Sequence, residues 1–308
     1  MSALSILIKR NTKLFFKDKA LFFTALITPV ILLVLYVSFL GNIYKDSLVS
    51  IVNAIGDGAA EPISLSDKIL NGFVGGQLIS SILAVSCVTV SVCCNMLMVS
   101  DKANGVTNDL LITPVRPSTL ALSYYISTLI STFIISFFAL GISLVYLAAV
   151  GFFLSALDVL LLIGDVIILV MLGTALSSVI CFFLSTQGQI SAVGSIISST
   201  YGFICGAYMP ISQFGEGLRN VIGFLPGTYG TSLLRRHTLR AVTEEMTQAG
   251  ISAEGVRGVR DSVDYYIYVF DTEVSSGVMY AVLIGTVSAL IVAYIFLNYL
   301  KSKGKFKK

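Results

Sequence analysis

Long apolar runs separated by short polar segments set the pattern of this chain. A hydrocarbon layer about 30 Å thick is crossed by about 20 helical residues, and apolar runs of that order occur at 21–40, 73–99, 120–150, 157–183, 190–208 and 274–300. Only Asp158 and Asp165 carry charge between Arg116 and Glu216, so the breaks there are read from the turn-forming stretches Gly151-Phe152-Phe153-Leu154-Ser155 and Ser185-Thr186-Gln187-Gly188-Gln189. The pattern predicts an all-α integral membrane protein of six transmembrane helices, 1–308 forming one domain.

The polar segments have patterns of their own. Residues 1–20 place Lys9, Lys13 and Lys17 in one row with Leu4, Leu7, Ile8, Leu14 and Phe15 opposite, predicting an amphipathic helix on the membrane interface rather than a cleavable leader. A solvated basic lead-in is the plainer reading, since Asn11 interrupts the apolar stripe and Ile6 falls on the lysine side. Residues 101–117 are predicted helical, with Val106, Leu110 and Thr113 on one face, and the two X-Pro steps, Thr113-Pro114 and Arg116-Pro117, end that helix. Such a segment is suited to being gripped by a partner protein. Residues 209–273 form a long segment before the last span.

Composition agrees: hydrophobic residues make up 56%, charged residues 12% and mean hydropathy is +0.89, against roughly 25% charge in a soluble domain. Lys9, Arg10, Lys13, Lys17 and Lys19 precede the first span and Lys301, Lys303, Lys305, Lys307 and Lys308 follow the last, which predicts a multi-pass protein of the cell membrane with both termini cytoplasmic. The 101–117 segment is then cytoplasmic and 209–273 external. These basic ends suit the lipids of an anionic inner leaflet; no basic stripe with interleaved aromatics points to nucleic acid.

Chemistry is sparse. Cys87, Cys93, Cys94, Cys181 and Cys205 all fall in apolar runs without the spacing of a metal or redox pair, and read as small core residues. His237, the only histidine, sits in Arg235-Arg236-His237-Thr238-Leu239-Arg240 and reads as solvated or headgroup-facing. With one histidine, a histidine-rich metal site is excluded. No G-x-x-x-x-G-K-[ST], H-E-x-x-H or G-x-S-x-G occurs, so any ATP hydrolysis that drives the protein belongs to a separate chain.

Three local patterns, in order along the chain, resemble the permease subunit of an ATP-binding-cassette exporter of the ABC-2 type. Lys17-Asp18-Lys19 leads into an apolar first helix with Pro29 mid-span; Asp101-Lys102, Gly105, Leu110-Leu111 and Thr113-Pro114-Val115 are similar to the family's cytoplasmic coupling helix; Met209-Pro210-Ile211, Phe224-Leu225-Pro226-Gly227-Thr228-Tyr229 and Leu233-Leu234-Arg235 are similar to its re-entrant external helical hairpin. The likeness covers nearly the whole chain. Asn108 stands where the family usually has an acidic residue, and Ala121-Leu122-Ser123 where it has a Gly-Lys pair. The resemblance implies a nucleotide-binding ATPase partner that holds ATP and Mg, a second copy or homologous permease, no catalytic residue or metal on this chain, and ATPase coupling through Asp101, Lys102, Gly105, Asn108, Asp109, Leu110, Leu111, Thr113 and Pro114.

Within the spans, Asp165 is the sharpest polar residue, with Asp158 seven residues earlier on the same face. An intramembrane carboxylate either serves a path or is satisfied by neighbouring hydroxyls; Gln77 and Asn95 are weaker candidates for the substrate path. Gly202 and Gly206 have the spacing of close helix packing, either at a dimer interface or within one subunit. Trp is absent, leaving interfacial anchoring to Tyr36, Tyr44, Tyr124, Tyr125, Tyr208 and Tyr299. An apolar subunit interface with few charges suits a hydrophobic or amphipathic cargo such as a drug, antibiotic, peptide or lipid. Export of a glycan or lipid-linked polymer is the near alternative, and an ATP-independent scaffold or channel the distant one.

Overall fold

The computed structural model describes residues 2–56, 65–270 and 272–303. In chain order these form α1 (Ala3–Lys17), α2 (Lys19–Leu35), a π-helical turn (Tyr36–Leu40), α3 (Gly41–Gly56), α4 (Asp67–Ala103), α5 (Val106–Ile112), α6 (Pro117–Val150), α7 (Ala156–Phe183), α8 (Gln187–Ile204), a 3-10 turn (Ile211–Gln213), α9 (Glu216–Gly223), α10 (Pro226–Gln248), α11 (Ala253–Ser262), the strands β1 (Tyr268–Val269) and β2 (Thr272–Glu273), and α12 (Ser276–Ser302). The two strands pair antiparallel, Tyr268 opposite Glu273.

Local chemistry sets the boundaries. Asp18 interrupts the first helix by turning its carboxylate to the amides of Ala20 and Leu21, capping α2. Ser155 with Asp158 and Thr186 with Gln189 form reciprocal capping boxes at α7 and α8. Proline occupies the first turn of both α6 and α10, where its missing N–H leaves no helical bond unmade.

Five helical stretches are long and apolar enough to cross a membrane: 19–52, 67–103, 117–150, 156–183 and 276–302. Each extends the corresponding predicted run or matches it within a few residues. The predicted 190–208 run is different. Its helix, α8, covers only Gln187–Ile204, is diluted by Ser191, Ser195, Ser198, Ser199 and Thr200, and ends before Gly206, whose φ of +73° is a left-handed conformation that ends the helix.

The bundle is organised around α4, 37 residues and about 55 Å long, which is buried on every face and packs against α2, α6, α7, α8 and α10. A helix buried all round has no amphipathic signal; small and hydroxylated residues replace bulk and let neighbours approach. At a close backbone contact, a side chain on Gly173 of α7 would place its first carbon 2.6 Å from the Cys87 carbonyl oxygen.

Helix α10 runs antiparallel to α7: Gly230 lies against Leu169, His237 against Asp165 and Arg240 against Asp158. Its first turns therefore sit about 16 Å deeper along the α7 axis than Arg240 does. Within the 209–273 segment, α10 belongs to the bundle core with α4, α7 and α12. Further along, α11 and Tyr265 pack with α10 and α3 in a second apolar cluster.

Candidate functional site

Three arrangements bear on function: the α5 end of the bundle, the polar contacts of α10, and a groove beside the first helix. At the α5 end, the predicted 101–117 helix is divided. Asp101 and Lys102 belong to the last turn of α4; Gly105, at φ +79°, makes the break; only Val106–Ile112 forms the separate helix α5. The Thr113 hydroxyl closes it by donating to the Leu110 carbonyl at 2.6 Å. Asn108, Asp109, Leu111, Thr113 and Pro114 are exposed, and Ile112 is 84% exposed, whereas Leu110 tucks against the cluster that includes Leu120 and Tyr124.

Asp101 and Lys102 work inward instead of outward. The Asp101 carboxylate accepts from the Arg10 guanidinium of α1 at 2.7 Å and from the Tyr124 hydroxyl of α6. Asn11, buried on α1, donates to the Ser123 hydroxyl at 3.4 Å. Burial alone would lower the Arg10 pKa, but the hydrogen bond and charge of Asp101 outweigh it and hold the guanidinium above its ordinary value. The Lys102 ammonium donates to the carbonyls of Cys181, Phe182 and Leu184 at 2.9, 3.1 and 3.2 Å, closing the C-terminal end of α7. One turn of α4 therefore binds α1, α6 and α7 immediately before the hinge at Gly105. The buried stripe Leu7, Asn11 and Phe15 holds α1 against the bundle, with Lys9, Lys13 and Lys17 exposed.

On α10, the four basic residues tie the helix to α7, α12 and the segments around α8 and α11. Arg240 donates to Asp158 through Nε at 2.8 Å and Nη2 at 3.1 Å. His237 Nδ1 is 2.6 Å from one oxygen of Asp165, and the Tyr280 hydroxyl donates to the other at 2.6 Å. Arg236 reaches the Tyr265 carbonyl at 2.9 Å and the Ser276 hydroxyl at 2.6 Å. Arg235, wholly buried, pairs with Asp264 at 3.1 Å and donates to the Gly206 carbonyl. Asp264 also accepts from the amides of Ile211 and Ser212. Burial pushes the Asp264 carboxyl above its ordinary range, opposed by the Arg235 charge and those amides.

These contacts correct several expectations. His237 is not solvated or headgroup-facing: its side chain is 13% exposed and engaged with Asp165. Both oxygens of Asp165 are bonded, one to a tyrosine hydroxyl of the kind expected and one to the histidine. Asn95 donates to the hydroxyls of Ser177 and Ser178 at 3.3 and 3.0 Å and accepts from Thr128 at 3.4 Å, joining α4, α7 and α6. Gly202 packs against the Tyr208 ring of its own chain, and Gly206 lies beyond the end of α8, so the two do not form a small-residue stripe on one helix. Gln77 is fully buried, and neither atom of its amide has a partner among the described residues. The signal missed in sequence was the pairing of two acidic residues on one α7 face with a basic run in α10.

The groove, about 950 Å³, lies between α2–α3 on one side and α8 with the 208–210 turn on the other. Ile31, Phe39 and Ile43 give it an apolar wall, Ser195, Ser198 and Ser199 a hydroxylated one, and none of its lining residues among those described is charged. The π-helical turn lies along it; such turns break the regular helical hydrogen-bond ladder and occur frequently at functional sites.

A model of the family described as ABC-2 type transporter matches residues 2–237, from the first residues of the described chain to the middle of α10. No curated protein and no solved structure matches the chain. The match covers well over half of the sequence and includes α1, the α4–α5–α6 connection and the groove walls. The chain belongs to the ABC-2 type transporter family and is a multi-pass membrane component of a transporter.

Proposed function

We propose that this protein is the permease subunit of an ATP-driven exporter that moves a hydrophobic or amphipathic substrate, of the drug, antibiotic, peptide or lipid class, out of the cytoplasm or the inner leaflet. The observation that carries the reading is the uncharged groove of about 950 Å³ beside an interrupted first helix, in a chain of the ABC-2 family. A second ABC-2 substrate class, a glycan or lipid-linked polymer, is favoured by one feature, the serine wall supplied by α8.

In this reading α8 is the sixth span, both termini and α5 are cytoplasmic, and 209–273 is external with α9 and α10 as its re-entrant hairpin. Asn108, Asp109, Leu110, Leu111, Thr113 and Pro114 meet a separate nucleotide-binding ATPase, which holds ATP and Mg, while the permease pairs with a second copy or a homologue. ATP-driven closure of the ATPases tilts α5 about Gly105, and Asp101 and Lys102 carry that displacement into α1, α6 and α7. Access to the groove changes because these helices shift as packed bodies. Asp165 and Asn95 hold helices together around the path rather than meeting the cargo.

The test is transport in inverted membrane vesicles containing the permease and its ATPase, using a panel of membrane-permeant neutral and cationic dyes. ATP-dependent accumulation, lost in Leu110→Asp, supports the exporter. Accumulation above that of vesicles lacking the permease, equal with and without ATP, identifies a channel and overturns it.

A further inference from the structure

Behind the groove lies a set of buried polar atoms that the fold leaves unpaired. Phe73, Gln77 and Ser81 follow at four-residue spacing on one face of α4. Phe73 lines the groove; Gln77 and Ser81, one and two turns further, are fully buried. Both Gln77 amide atoms and the Nε–H of Arg235 have no hydrogen-bond partner among the described residues, and the Tyr36 and Ser81 hydroxyls have only each other and the Tyr44 hydroxyl within reach.

These groups converge. The Tyr36 hydroxyl is directed at Ser81 and feels the charge of Arg235, and Tyr36 packs with Val74, Leu78, Cys205 and Ala207. Gly76, on the other flank of Gln77, lies against Leu239 and Thr238 of α10, one turn beyond Arg235. Gln77 and Ser81 therefore occupy the α4 face between the first helix and α10. Tyr36 is separated from the groove by Tyr44, whose ring stacks on it at 5.6 Å between centroids and itself lines the groove. The π-helical turn begins at Tyr36.

A buried polar atom without a partner is destabilising by about 1–3 kcal/mol, and the three unpaired atoms of Gln77 and Arg235, with the Tyr36 and Ser81 hydroxyls, form a strongly polar interior surface. Their charge balance is informative: Arg235 is neutralised by Asp264, no charged residue lines the groove among the described residues, and Lys45 lines a separate cavity that Tyr36 borders. The surface offers donors from Arg235 and Gln77, an acceptor from Gln77, and two hydroxyls that serve as either. That set complements hydroxyl, ether or amide groups and disfavours a net charge.

Given the exporter reading, we infer that Gln77, Ser81, Tyr36 and Arg235 form the recognition site for the uncharged, hydrogen-bonding headgroup of an amphiphile whose apolar part lies in the groove. Tyr44 is the partition between them. Movement of its ring opens the polar surface to the headgroup, and the π-helical turn gives the first helix the slack for that movement.

The chain contains no Trp, so Tyr44→Trp installs a single indole reporter at the partition. The full-length protein in zwitterionic-lipid nanodiscs is titrated with octyl glucoside, octyl sulfate and octyltrimethylammonium below their micellar concentrations. A saturable emission change with octyl glucoside alone is expected, with half-saturation raised about tenfold by Gln77→Leu or Ser81→Ala in the same background, the effect of about one hydrogen bond. Ligand-free Gln77→Leu is expected to melt at or above the parent temperature, since an unpaired amide is replaced by an apolar group of similar size. An unchanged half-saturation with a lowered melting temperature assigns the set to structural water and overturns the inference, as does equal or absent response to the three probes. Because no ATP or ATPase is involved, either result stands apart from the transport assay that tests the exporter reading.

Discussion

Arg235 and Asp264 are the most consequential pair at the scale of single residues. Both are buried, and together they hold the end of α8, the 3-10 turn and the segment after α11 on α10. Removing one partner of a buried pair is destabilising by about 3–5 kcal/mol, so Arg235→Met is expected to lower the thermal unfolding midpoint sharply in detergent. The loss is expected to shrink in acid. The Asp264 pKa is raised in the folded protein; a group so shifted contributes stability at pH below its unfolded pKa and loses that contribution as pH rises through the folded value. Without Arg235 the carboxyl is raised further, so the variant gains most from acid; melting across pH reads this directly. Asp165 makes a second test. Asp165→Leu leaves the Tyr280 hydroxyl and His237 unpaired, and a thermodynamic cycle of Asp165→Leu with Tyr280→Phe is expected to give a coupling of about 0.5–3 kcal/mol. Additive losses would show that the pair does not interact.

At the scale of elements, the last turn of α4 joins three helices, and in the proposed mechanism it carries the coupling. Asp101 takes Arg10 of α1 and Tyr124 of α6, while Lys102 closes α7. Arg10→Asp or Asp101→Arg alone is expected to uncouple ATP hydrolysis from transport, and the double exchange to recover much of the coupling, measured as cargo moved per ATP. No recovery would assign Asp101 to a different partner. At Gly105 a residue with a Cβ must adopt a left-handed conformation that is destabilising by about 1–2 kcal/mol, so Gly105→Val is expected to reduce coupling while leaving the bundle folded.

The elements also show what was legible in sequence. Apolar length located five membrane-crossing helices because span length follows directly from bilayer thickness. It overextended α8, because the αL turn at Gly206 and the packing of Tyr208 back onto Gly202 depend on tertiary contacts. The 101–117 segment was recognisable by its proline steps, yet the inward roles of Asp101 and Lys102 depend on partners from 23 to 91 residues away in sequence. The basic run of α10 looked solvent-facing because each of its counterparts, Asp158, Asp165 and Asp264, lies on a different part of the chain. Periodicity along one segment carries no information about such pairings.

For the whole molecule, the architecture combines a rigid axis with an interrupted, partly exposed helix, the parts that the proposed exporter would use. A fully buried α4 gives a stiff axis that reaches from the α5 hinge to the neighbourhood of α10, while the first helix is interrupted by a π turn and exposes apolar residues such as Val30, Val34 and Phe39. The central claim is that this axis is driven by ATPases on separate chains acting through α5. Its most direct test is to isolate the protein from its native membrane in mild detergent, determine the composition and stoichiometry of the intact complex by mass spectrometry, and repeat the isolation with Leu110→Asp. The account predicts two permease chains with two nucleotide-binding subunits, and a folded permease stripped of those subunits in the variant. Recovery of the wild-type chain without any ATPase, or an ATPase retained undiminished by Leu110→Asp, would contradict it.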